Sequence, residues 1–497
     1  MKIKAIVYFF ILVLFPLSTF AQSTSNLSIT KTQDYRDDTV KRHEIKAIYA
    51  ANSGELGIIR ESSFRLYYEV FDETYQKVFE QSIKKEKKEN FVGFVSHGNQ
   101  IKVLTVQSPK NKERVVYCYT FDIAARKYQK RKLFQTEVEK NQPIFSGASK
   151  RQTSFQISPN GQYFTIATDD IKKNLNSYDL RLYDSQSLEL IYHKNYNSHE
   201  EKFYEPNDVY VTNEKEIYVV GKQFLKGRAQ KKEGKSNYNF ILNKITDTNV
   251  DTKAIEIENK HIQSLKINNK ETLQLIGFFS EKNVSRLKGV CNFIVDKNSL
   301  EIKDQKLIDL PQSVFEDLYG YRKANKKKNK ELANFFIDYI IEDNLGNTFI
   351  LAEEFYVTTT YTYNQFGGMT TQTFHYEDIL ALKLNSEGNL EWGRSIFKRS
   401  TKPSYNVFYK DETLHVFLNS GKELLEKEDG RTKVSVGLLE STALYDIEFT
   451  SNGEVSYNKL QNNKGNAKYW PRFGIETKGK FVLESHGKLA KHFMILE

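Results

Sequence analysis

The stretch ILALKLNSEGNLEWGRSIF, residues 379–397, alternates apolar and polar residues on both sides of a short polar turn. The alternation has the period of two that half-buried β-strands show, and the Asn-Ser-Glu-Gly sequence is rich in turn-forming residues. The stretch therefore predicts a β-hairpin. A similar pattern, ALYDIEFTSNGEVSYNKL, recurs at 443–460, so the hairpin is a repeated unit.

Five further copies of this hairpin precede the first one in the chain, at 65–83, 115–134, 180–196, 240–257 and 291–307. Most copies follow another predicted strand pair, which gives four strands in each repeat of about 50 to 65 residues. This period is typical of β-propeller blades with long loops. In six of the seven copies a short oxygen-bearing side chain can bond the turn backbone: Asp72, Asp122, Asp184, Asp296, Asn385 and Thr450.

The chain is therefore predicted to be all-β and to fold as a propeller. The C-terminal stretch 473–497 offers three strands without a fourth, and 26–33 is a lone strand near the other terminus. Pairing these two segments would complete an eighth blade and close the ring, which removes exposed sheet edges. A ring of seven blades is the alternative. The other seven blades are placed at 45–83, 90–134, 153–196, 207–257, 261–307, 334–397 and 404–460.

Two repeats resemble those of known propeller families. Residues 155–168 contain a Ser-Pro-Asn-Gly turn that leads into an apolar strand, and this resembles the WD40-like repeats of bacterial TolB-type propellers. The NSEGNLEW hairpin is similar to repeats of secreted bacterial propeller proteins of uncharacterised role. Both likenesses cover parts of blades and imply a fold, and neither implies catalytic residues.

Residues 1–21, MKIKAIVYFFILVLFPLSTFA, have the features of a secretory signal peptide: two early lysines, an apolar run and a cleavage point after Ala21. A membrane anchor is the alternative, but the run is short, contains Pro16 and lacks a basic flank. We therefore expect residues 22–497 to be a single exported propeller domain without a transmembrane segment. Its expected location is the periplasm, the cell surface or the medium.

The chain has only two cysteines, Cys118 and Cys291, but 34 Phe and 30 Tyr. A large aromatic core, rather than a disulfide framework, must then stabilise the fold. The two cysteines fall in the predicted third strands of blades 2 and 5, at offsets from the turn that differ by one residue. They should therefore face opposite ways in separate blades, and we expect two buried free thiols.

One face of the predicted propeller collects the basic runs of the sequence. Connections between second and third strands and those between consecutive blades emerge on this face, and six basic runs fall there: 84–89, 108–114, 171–177, 225–235, 280–289 and 321–331. A single such run is ordinarily a solvated loop. Six together, in a chain of net charge +10, predict a positive rim that attracts an anionic partner. The predicted contacts are Lys226, Arg228, Lys326, Lys327 and Lys328.

The longest insertion on this face, 354–378, alternates threonine with aromatic residues around a Gly-Gly pair and predicts a long hairpin. Its rings either pack on the propeller or form an exposed ledge that binds a sugar or a protein. The residues of the predicted ledge are Tyr361, Tyr363, Phe366, Phe374 and Tyr376.

The sequence lacks the local motifs of metal, nucleotide and hydrolase chemistry. Its nine histidines form no helical His-Glu-x-x-His pattern, and there is no Gly-x-Ser-x-Gly elbow, P-loop or dinucleotide glycine pattern. No metal, cofactor or catalytic residue is therefore predicted.

The predicted function is a non-catalytic binding or scaffold protein whose basic, aromatic loops meet an acidic glycan, lipopolysaccharide or an acidic protein. The alternative is a hydrolase or lyase for an acidic polysaccharide, with carboxylates of different blades meeting at the mouth of the channel. No nucleic-acid partner is expected, and the chain is expected to be a monomer.

Overall fold

The repeated hairpins pair with the strands that precede them and form four-stranded antiparallel sheets. In the residues that the structure describes, these sheets are the eight blades of an all-β propeller. The predicted ring of eight is thus confirmed, and the seven-bladed alternative is wrong. The computed structural model describes residues 25–36, 43–109, 112–138, 144–145, 154–172, 175–196, 203–269, 272–281, 286–327, 331–364, 367–398, 400, 402, 404–426, 430–433, 442–486 and 490–497.

Blades 1 to 7 each consist of four successive strands, and the predicted blade limits agree with them to within three residues. From first to fourth strand, blade 1 consists of Glu44–Ala50, Leu56–Glu61, Arg65–Phe71 and Lys77–Lys84, and blade 2 consists of Glu89–His97, Gln100–Gln107, Glu113–Asp122 and Lys127–Glu137. Blade 3 consists of Phe155–Ile157, Tyr163–Lys172, Leu175–Asp184 and Leu190–Tyr196, and blade 4 consists of Tyr204–Val211, Ile217–Phe224, Tyr238–Ile245 and Val250–Ile255. Blade 5 consists of His261–Asn269, Leu273–Ser280, Gly289–Val295 and Ile302–Asp309, and blade 6 consists of Phe335–Glu342, Thr348–Asn364, Gly367–Leu384 and Leu390–Ile396. Blade 7 consists of Asn406–Lys410, Thr413–Gly421, Thr442–Phe449 and Val455–Asn462.

Blade 8 joins the two ends of the chain. Its first strand is interrupted, with short pieces at Lys468–Tyr469 and Ile475–Thr477, and its second and third strands are Lys480–His486 and Phe493–Leu496. The fourth strand is the N-terminal segment Ile29–Lys31, which pairs antiparallel with the third. The predicted closure by the N-terminal strand is confirmed.

Short helices and strand pairs decorate the connections. Helices α1, Gln312–Tyr319, and α2, Tyr321–Lys327, lie between blades 5 and 6, and a 3₁₀ turn spans Pro471–Phe473. Among the described residues, no helix is both long and apolar enough to cross a membrane. The two-residue strand pairs are Tyr35–Arg36 with Ala490–Lys491, Lys231–Lys232 with Lys235–Ser236, Arg286–Leu287 with Leu332–Ala333, and Leu425–Glu426 with Thr432–Lys433.

The hydrophobic core lies between the blades. Each pair of neighbouring blades, including blade 8 with blade 1, shares a cluster of buried apolar side chains. Buried tyrosines link these interfaces: the Tyr68 hydroxyl donates to the Asp122 carbonyl (2.7 Å), and that of Tyr238 donates to the Ile262 carbonyl (2.6 Å). A tyrosine ring thus fills the space between two blades while its hydroxyl bonds the next one, which explains the aromatic composition.

The two cysteines are buried and free, as predicted. Cys118 packs in the cluster between blades 2 and 3, and Cys291 packs in the cluster between blades 4 and 5. One therefore faces the following blade and the other faces the preceding blade. Burial raises the pKa of the Cys118 thiol to about 11, so this thiol stays protonated and unreactive at neutral pH.

A buried ionic network lies where blade 8 meets blade 1. The Arg60 guanidinium bonds Glu69 at 2.7 Å and also contacts the Glu484 carboxylate of blade 8. Lys77 Nζ reaches Glu69 at 2.9 Å, and the Tyr35 hydroxyl donates to Glu484 at 2.5 Å. Burial alone would raise the pKa of Glu69, but Arg60 and Lys77 outweigh it and the pKa is lowered. The network is thus charged and spans the closure of the ring.

Candidate binding face

The loop face is the side of the propeller that carries the connections between second and third strands and those between consecutive blades. Backbone hydrogen bonds join these two kinds of connection directly. In blade 1, Lys85 N donates to the Phe64 carbonyl (2.9 Å), and in blade 5, Leu310 N donates to the Lys288 carbonyl (3.0 Å). The other two turns of each blade form the opposite side, the turn face. The antiparallel strand order therefore places the described parts of the predicted basic runs on the loop face. Residues 110–111, 173–174, 282–285 and 328–330 of these runs lie outside the described residues.

Some basic side chains of the loop face are neutralised by neighbouring carboxylates. Lys85 is buried, with its ammonium 2.5 Å from Glu61 Oε1, and Lys288 Nζ lies 3.1 Å from Asp309 Oδ2. These lysines stabilise the loops rather than offer charge to a partner. The free positive surface is consequently smaller than the six runs suggested.

The connection between the second and third strands of blade 4 forms a small basic hairpin. Its strands Lys231–Lys232 and Lys235–Ser236 pair across a two-residue turn of Glu233 and Gly234. Both turn residues have positive φ, 51° and 84°, as hairpin turns of this length require. The segment is therefore an ordered projection.

Hydrogen bonds and packing fix the start of this hairpin. The Asn237 amide donates to the carbonyl of Lys226 at 2.7 Å, and the Arg228 guanidinium lies over the Phe203 ring at 4.5 Å. The predicted contacts Lys226 and Arg228 are thus held on the loop face. The exposed cationic residues of the hairpin are Lys226, Arg228, Lys231, Lys232 and Lys235.

A pocket of about 450 Å³ separates the basic hairpin from the first strand of blade 5. This volume is within the usual range for small-ligand sites. We name it the blade 4–5 pocket. Its apolar floor is formed by Tyr238, Phe240, Ile255, Ile257 and Ile262, and its polar wall by Gly234, Lys235, Ser236, Asn239, Glu256, Asn259, Lys260 and His261.

A serine and a histidine meet in the wall of this pocket. Ser236 Oγ and His261 Nδ1 are within hydrogen-bonding distance. Burial, and then the positive charge of Lys231, lower the pKa of His261, so its imidazole is neutral at pH 7. The neutral pair keeps one free donor, either the imidazole N–H or the hydroxyl, and together with the nearby ammonium groups it can donate hydrogen bonds to an anionic group.

The basic run 321–331 was expected as a loop but begins with helix α2. Val314 of α1 and Ala324 of α2 are buried in the cluster between blades 5 and 6, so the two helices have an apolar side to bury. The Asp317 carboxylate accepts hydrogen bonds from the Arg394 side chain at 2.8 and 2.9 Å, which holds α1 on blade 6.

The three lysines predicted in this run have different surroundings. Lys326 is exposed at the end of α2. The Lys327 ammonium lies over the Tyr319 ring, 4.0 Å from its centre, and its side chain is half-buried. Lys328 lies outside the described residues. Only Lys326 is therefore placed as a freely accessible contact.

The predicted long hairpin is confirmed as an extension of blade 6. Its strands, Thr348–Asn364 and Gly367–Leu384, pair along their length except at a register shift between Glu353 and Phe355. Tyr361 and Tyr363 lie in the outer part of the first strand, but their side chains, and the whole of Phe366, lie outside the described residues. Their role as a binding ledge stays a prediction.

The rings at the base of the hairpin pack on one another. The Phe374 ring lies parallel to that of Phe355 at 6.4 Å and is half-buried. Tyr376 is only 1% exposed and lies 4.8 Å from the same phenylalanine. Contrary to expectation, Tyr376 is not on an exposed ledge, because its backbone bridges to Ser400 and turns its ring into the core.

Carboxylates gather near the base of the same hairpin. A register shift at Glu354 interrupts the ladder, and the Asp378 backbone N–H donates to the Glu354 carboxylate. Burial, and then the charge of Glu377, raise the pKa of Glu354 to about 7. His375 Nδ1 lies 3.5 Å from Glu377, and Tyr319 is close enough for Glu354 and Asp378 to raise its pKa further. This arrangement can hold and release a proton near neutral pH.

Sequence reasoning did not single out Ser236, His261 or Glu354. His261 opens blade 5 and Ser236 closes the basic hairpin of blade 4, so only the docking of two blades brings them together. A local signal existed for Glu354 alone, because it stands beside a second glutamate at the base of the threonine-rich hairpin.

No family model matches the chain, and no curated protein matches it. The solved polysaccharide lyase Uly1 is 10% identical, with a TM-score of 0.39 over 81% of this chain and 89% of that chain. The β-propeller domain of the Trilobed protease from Pyrococcus furiosus is 9% identical, with a TM-score of 0.36 over 73% and 99%. Prolyl oligopeptidase B from Galerina marginata is 8% identical, with a TM-score of 0.40 over 90% and 55%, so the chain spans about half the length of that protein. Likeness at this level gives no information on activity.

Proposed function

We propose that the chain is an exported, non-catalytic binding propeller that takes an acidic glycan on its loop face. The observation that carries the proposal is the blade 4–5 pocket, where cationic and hydrogen-bonding groups surround an apolar floor. Pockets of this kind orient a ligand with a few polar groups and gain affinity from apolar contact.

The charge around the pocket favours an anionic sugar unit. Lys235 and Lys260 line it, and Lys231 is close enough to lower the pKa of His261. Glu256 is the carboxylate among the described lining residues, and the Asn239 amide holds it at 3.0 Å. Lys260 is partly neutralised by Glu281, which lies 3.8 Å away. The exposed lysines of the basic hairpin still outnumber Glu256, so the local potential attracts a carboxylate, sulfate or phosphate group.

The apolar floor suits the body of a sugar ring. The lining combines aliphatic and aromatic side chains with Ser236 and His261, which offer hydrogen bonds. A glycan polymer would also run along the exposed cations of the basic hairpin, and Lys326 would extend the positive surface towards blade 6. An acidic protein, which has no sugar ring to place in the pocket, is the alternative partner.

Replacing Lys231, Lys232 and Lys235 together by glutamine should weaken binding to hyaluronan, used as the acidic glycan probe, by about tenfold. Association should slow more than dissociation speeds up, because exposed charges act mainly on encounter. Surface plasmon resonance at several salt concentrations measures both rates. The salt dependence should become shallower in the variant, since charges interact over only about 8 Å at physiological ionic strength.

A matched control carries the same change of charge on the turn face. Lys127, Lys215 and Lys478 are exposed in turns of blades 2, 4 and 8. Their triple glutamine variant should bind hyaluronan as the native chain does. Equal losses of hyaluronan affinity in the two triple variants would contradict the proposal. Binding that does not depend on salt concentration would contradict it as well. Binding to a poly-glutamate peptide but not to hyaluronan would favour the acidic protein.

A second candidate function is cleavage of the acidic polysaccharide. The observation that favours it is the group of Glu354, Glu377 and Asp378 beside Tyr319. A carboxyl that keeps its proton near pH 7 can act as a general acid, and a neighbouring carboxylate can act as base or nucleophile. Glu354 has the pKa that the first role requires.

Glu354→Gln should abolish such cleavage, with a loss of about 100-fold or more, while hyaluronan binding is retained. The same change should increase stability at pH 8 by about 1–2 kcal/mol, less than the full pKa shift implies because this carboxyl is partly exposed. Because the pKa of Glu354 is higher in the folded than in the unfolded chain, this group stabilises the fold fully below its unfolded pKa of about 4.3. The stabilisation is lost as the pH rises through about 7, the pKa in the fold. The gain should therefore be small at pH 4 and grow with pH.

Product analysis of treated hyaluronan and urea unfolding at several pH values check these two results separately. Glu387→Gln, in an exposed turn of the same blade, is the control and should change neither. Absence of cleavage by the native chain would reject the second function. Equal stability of Glu354→Gln and the native chain at pH 8 would reject the protonated state of Glu354.

A further inference from the structure

Four side chains from two distant parts of the sequence meet in a buried cluster at blade 7. His415 belongs to the second strand, Asp446 and Glu448 belong to the third, and His415 stands directly opposite Glu448 in the ladder. Ser25, from the segment before the N-terminal strand, reaches both carboxylates. The imidazole and the two carboxylates are almost completely buried, with side-chain exposures of 2%, 0% and 7%.

The polar atoms lie at separations close to those of ligands around a single small cation. His415 Nδ1 lies 2.9 Å from Asp446 Oδ2 and 3.8 Å from Glu448 Oε1. Ser25 Oγ lies 2.7 Å and 3.2 Å from the same two oxygens. Ligands that bind one Zn²⁺ at about 2.1 Å are separated from each other by about 3.0 to 3.4 Å. The four measured distances lie within that range or on either side of it.

The charges of the cluster are not balanced by the protein. Within the described part of the chain, neither Asp446 nor Glu448 forms an ion pair with a lysine or an arginine, and His415 is their cationic neighbour only when protonated. Burying two carboxylates beside one imidazole is unfavourable unless a proton or a cation neutralises part of the charge. Hydrogen bonds from Ser25 and Asn26 supply polar contacts but no charge.

We propose that His415, Asp446, Glu448 and Ser25 bind one divalent transition-metal ion, such as Zn²⁺. One nitrogen and three oxygen ligands suit a borderline ion better than Ca²⁺, which prefers oxygen alone. Glu448 keeps a second oxygen for the Asn26 amide (3.0 Å) and the Ser456 hydroxyl (3.2 Å), and such outer contacts orient a metal-binding carboxylate.

The site would act on the structure rather than on a substrate. All four ligands come from the protein, as in structural zinc centres. His415, Asp446 and Glu448 are buried, and Ser25 is partly exposed. Its ligands join the N-terminal segment to blade 7, next to the strand Ile29–Lys31 that completes blade 8. The ion would thus tie the start of the chain to the blade that precedes the closing sheet.

Elemental analysis of the purified full chain, and its melting temperature with and without saturating ZnCl₂, test the proposal. We expect about one metal equivalent per chain and a melting temperature that rises with the metal and falls with a chelator. His415→Gln and Asp446→Asn should each lower metal affinity by about 100-fold or more. The absorption bands of the Co²⁺ form give a second readout that does not depend on stability.

The matched control removes a surface histidine that also contacts an aspartate. His193 Nε2 lies 3.0 Å from Asp179 in blade 3, and His193→Gln should leave metal content and the metal-dependent melting shift unchanged. If Asp446→Asn fails to fold, Ser25→Ala keeps the three other ligands and should still weaken Zn²⁺ binding measurably. Failure of the native chain to bind Zn²⁺, Mn²⁺ or Co²⁺, or a shift that survives His415→Gln, would overturn the proposal.

Discussion

Deletion of residues 22–35 is expected to lower the free energy of unfolding by about 5 kcal/mol or more. The deletion removes the strand Ile29–Lys31, whose loss leaves the backbone of Phe493–Leu496 as an exposed sheet edge. It also removes Leu27, which is buried between blades 7 and 8, and Tyr35, which packs against Phe493 at the closure. The loss of backbone hydrogen bonds and the loss of two buried side chains both lower the free energy of unfolding.

Denaturant unfolding and calorimetry of the shortened chain measure this effect. A chain that begins at Ser25 keeps every described contact of the closing segment, so it should unfold like the native chain. Equal stability of the native chain and the deletion variant would show that the N-terminal strand contributes nothing to the ring.

Arg60→Met is expected to lower the free energy of unfolding by about 3–5 kcal/mol, because Glu69 and Glu484 would remain buried without their shared cation. Arg60 and both glutamates are almost fully shielded from water, so solvent cannot replace the lost interaction. Lys77 would still reach Glu69, but Glu484 would keep only the Tyr35 hydroxyl among the partners of this network. Two neighbouring blades would then repel each other.

The triple change Arg60→Met, Glu69→Gln and Glu484→Gln tests this cause, since it removes the charges together and should recover part of the lost stability. The pH dependence gives a second check. Glu69 has a lowered pKa in the fold, so its contribution is fully present above its unfolded pKa of about 4.3 and is lost as pH falls through the folded value. The difference between Arg60→Met and the native chain should therefore narrow in acid. A triple variant less stable than Arg60→Met would contradict the charge argument.

The architecture could be predicted because each blade repeats a local pattern. The alternation and turn of 379–397 recur along the chain, and the count of strands left over at 473–497 required a partner such as 26–33. Helix α2 was missed because its run of lysines is typical of a loop. Its helical form depends on the burial of Ala324 against blades 5 and 6, which is a tertiary effect.

The candidate sites were harder to predict because their residues are close only after blades pack. Ser236 and His261 belong to different blades, and Ser25 is separated from Asp446 by 421 positions. Spacing rules for metal sites search for ligands on one helix or loop, so they do not detect His415 and Glu448, which meet across a strand pair. The runs of positive charge could be read from the sequence, but the pairing of Lys85 and Lys288 with neighbouring carboxylates could not, because it depends on the fold.

The strand pairing of blade 8 also governs the order of folding. Ile29 pairs with Leu496, so the strand that completes blade 8 finds its partner at a very large separation in the sequence. The hairpins of blades 1 to 7 join neighbouring segments and can form early, whereas closure must bring together two segments that are far apart in the sequence. We therefore expect ring closure to be the late and slow step, and until it occurs the edge of Phe493–Leu496 would be open to pairing with another molecule. By covering this edge, a segment of only three residues, Ile29–Lys31, removes a site at which two molecules could pair.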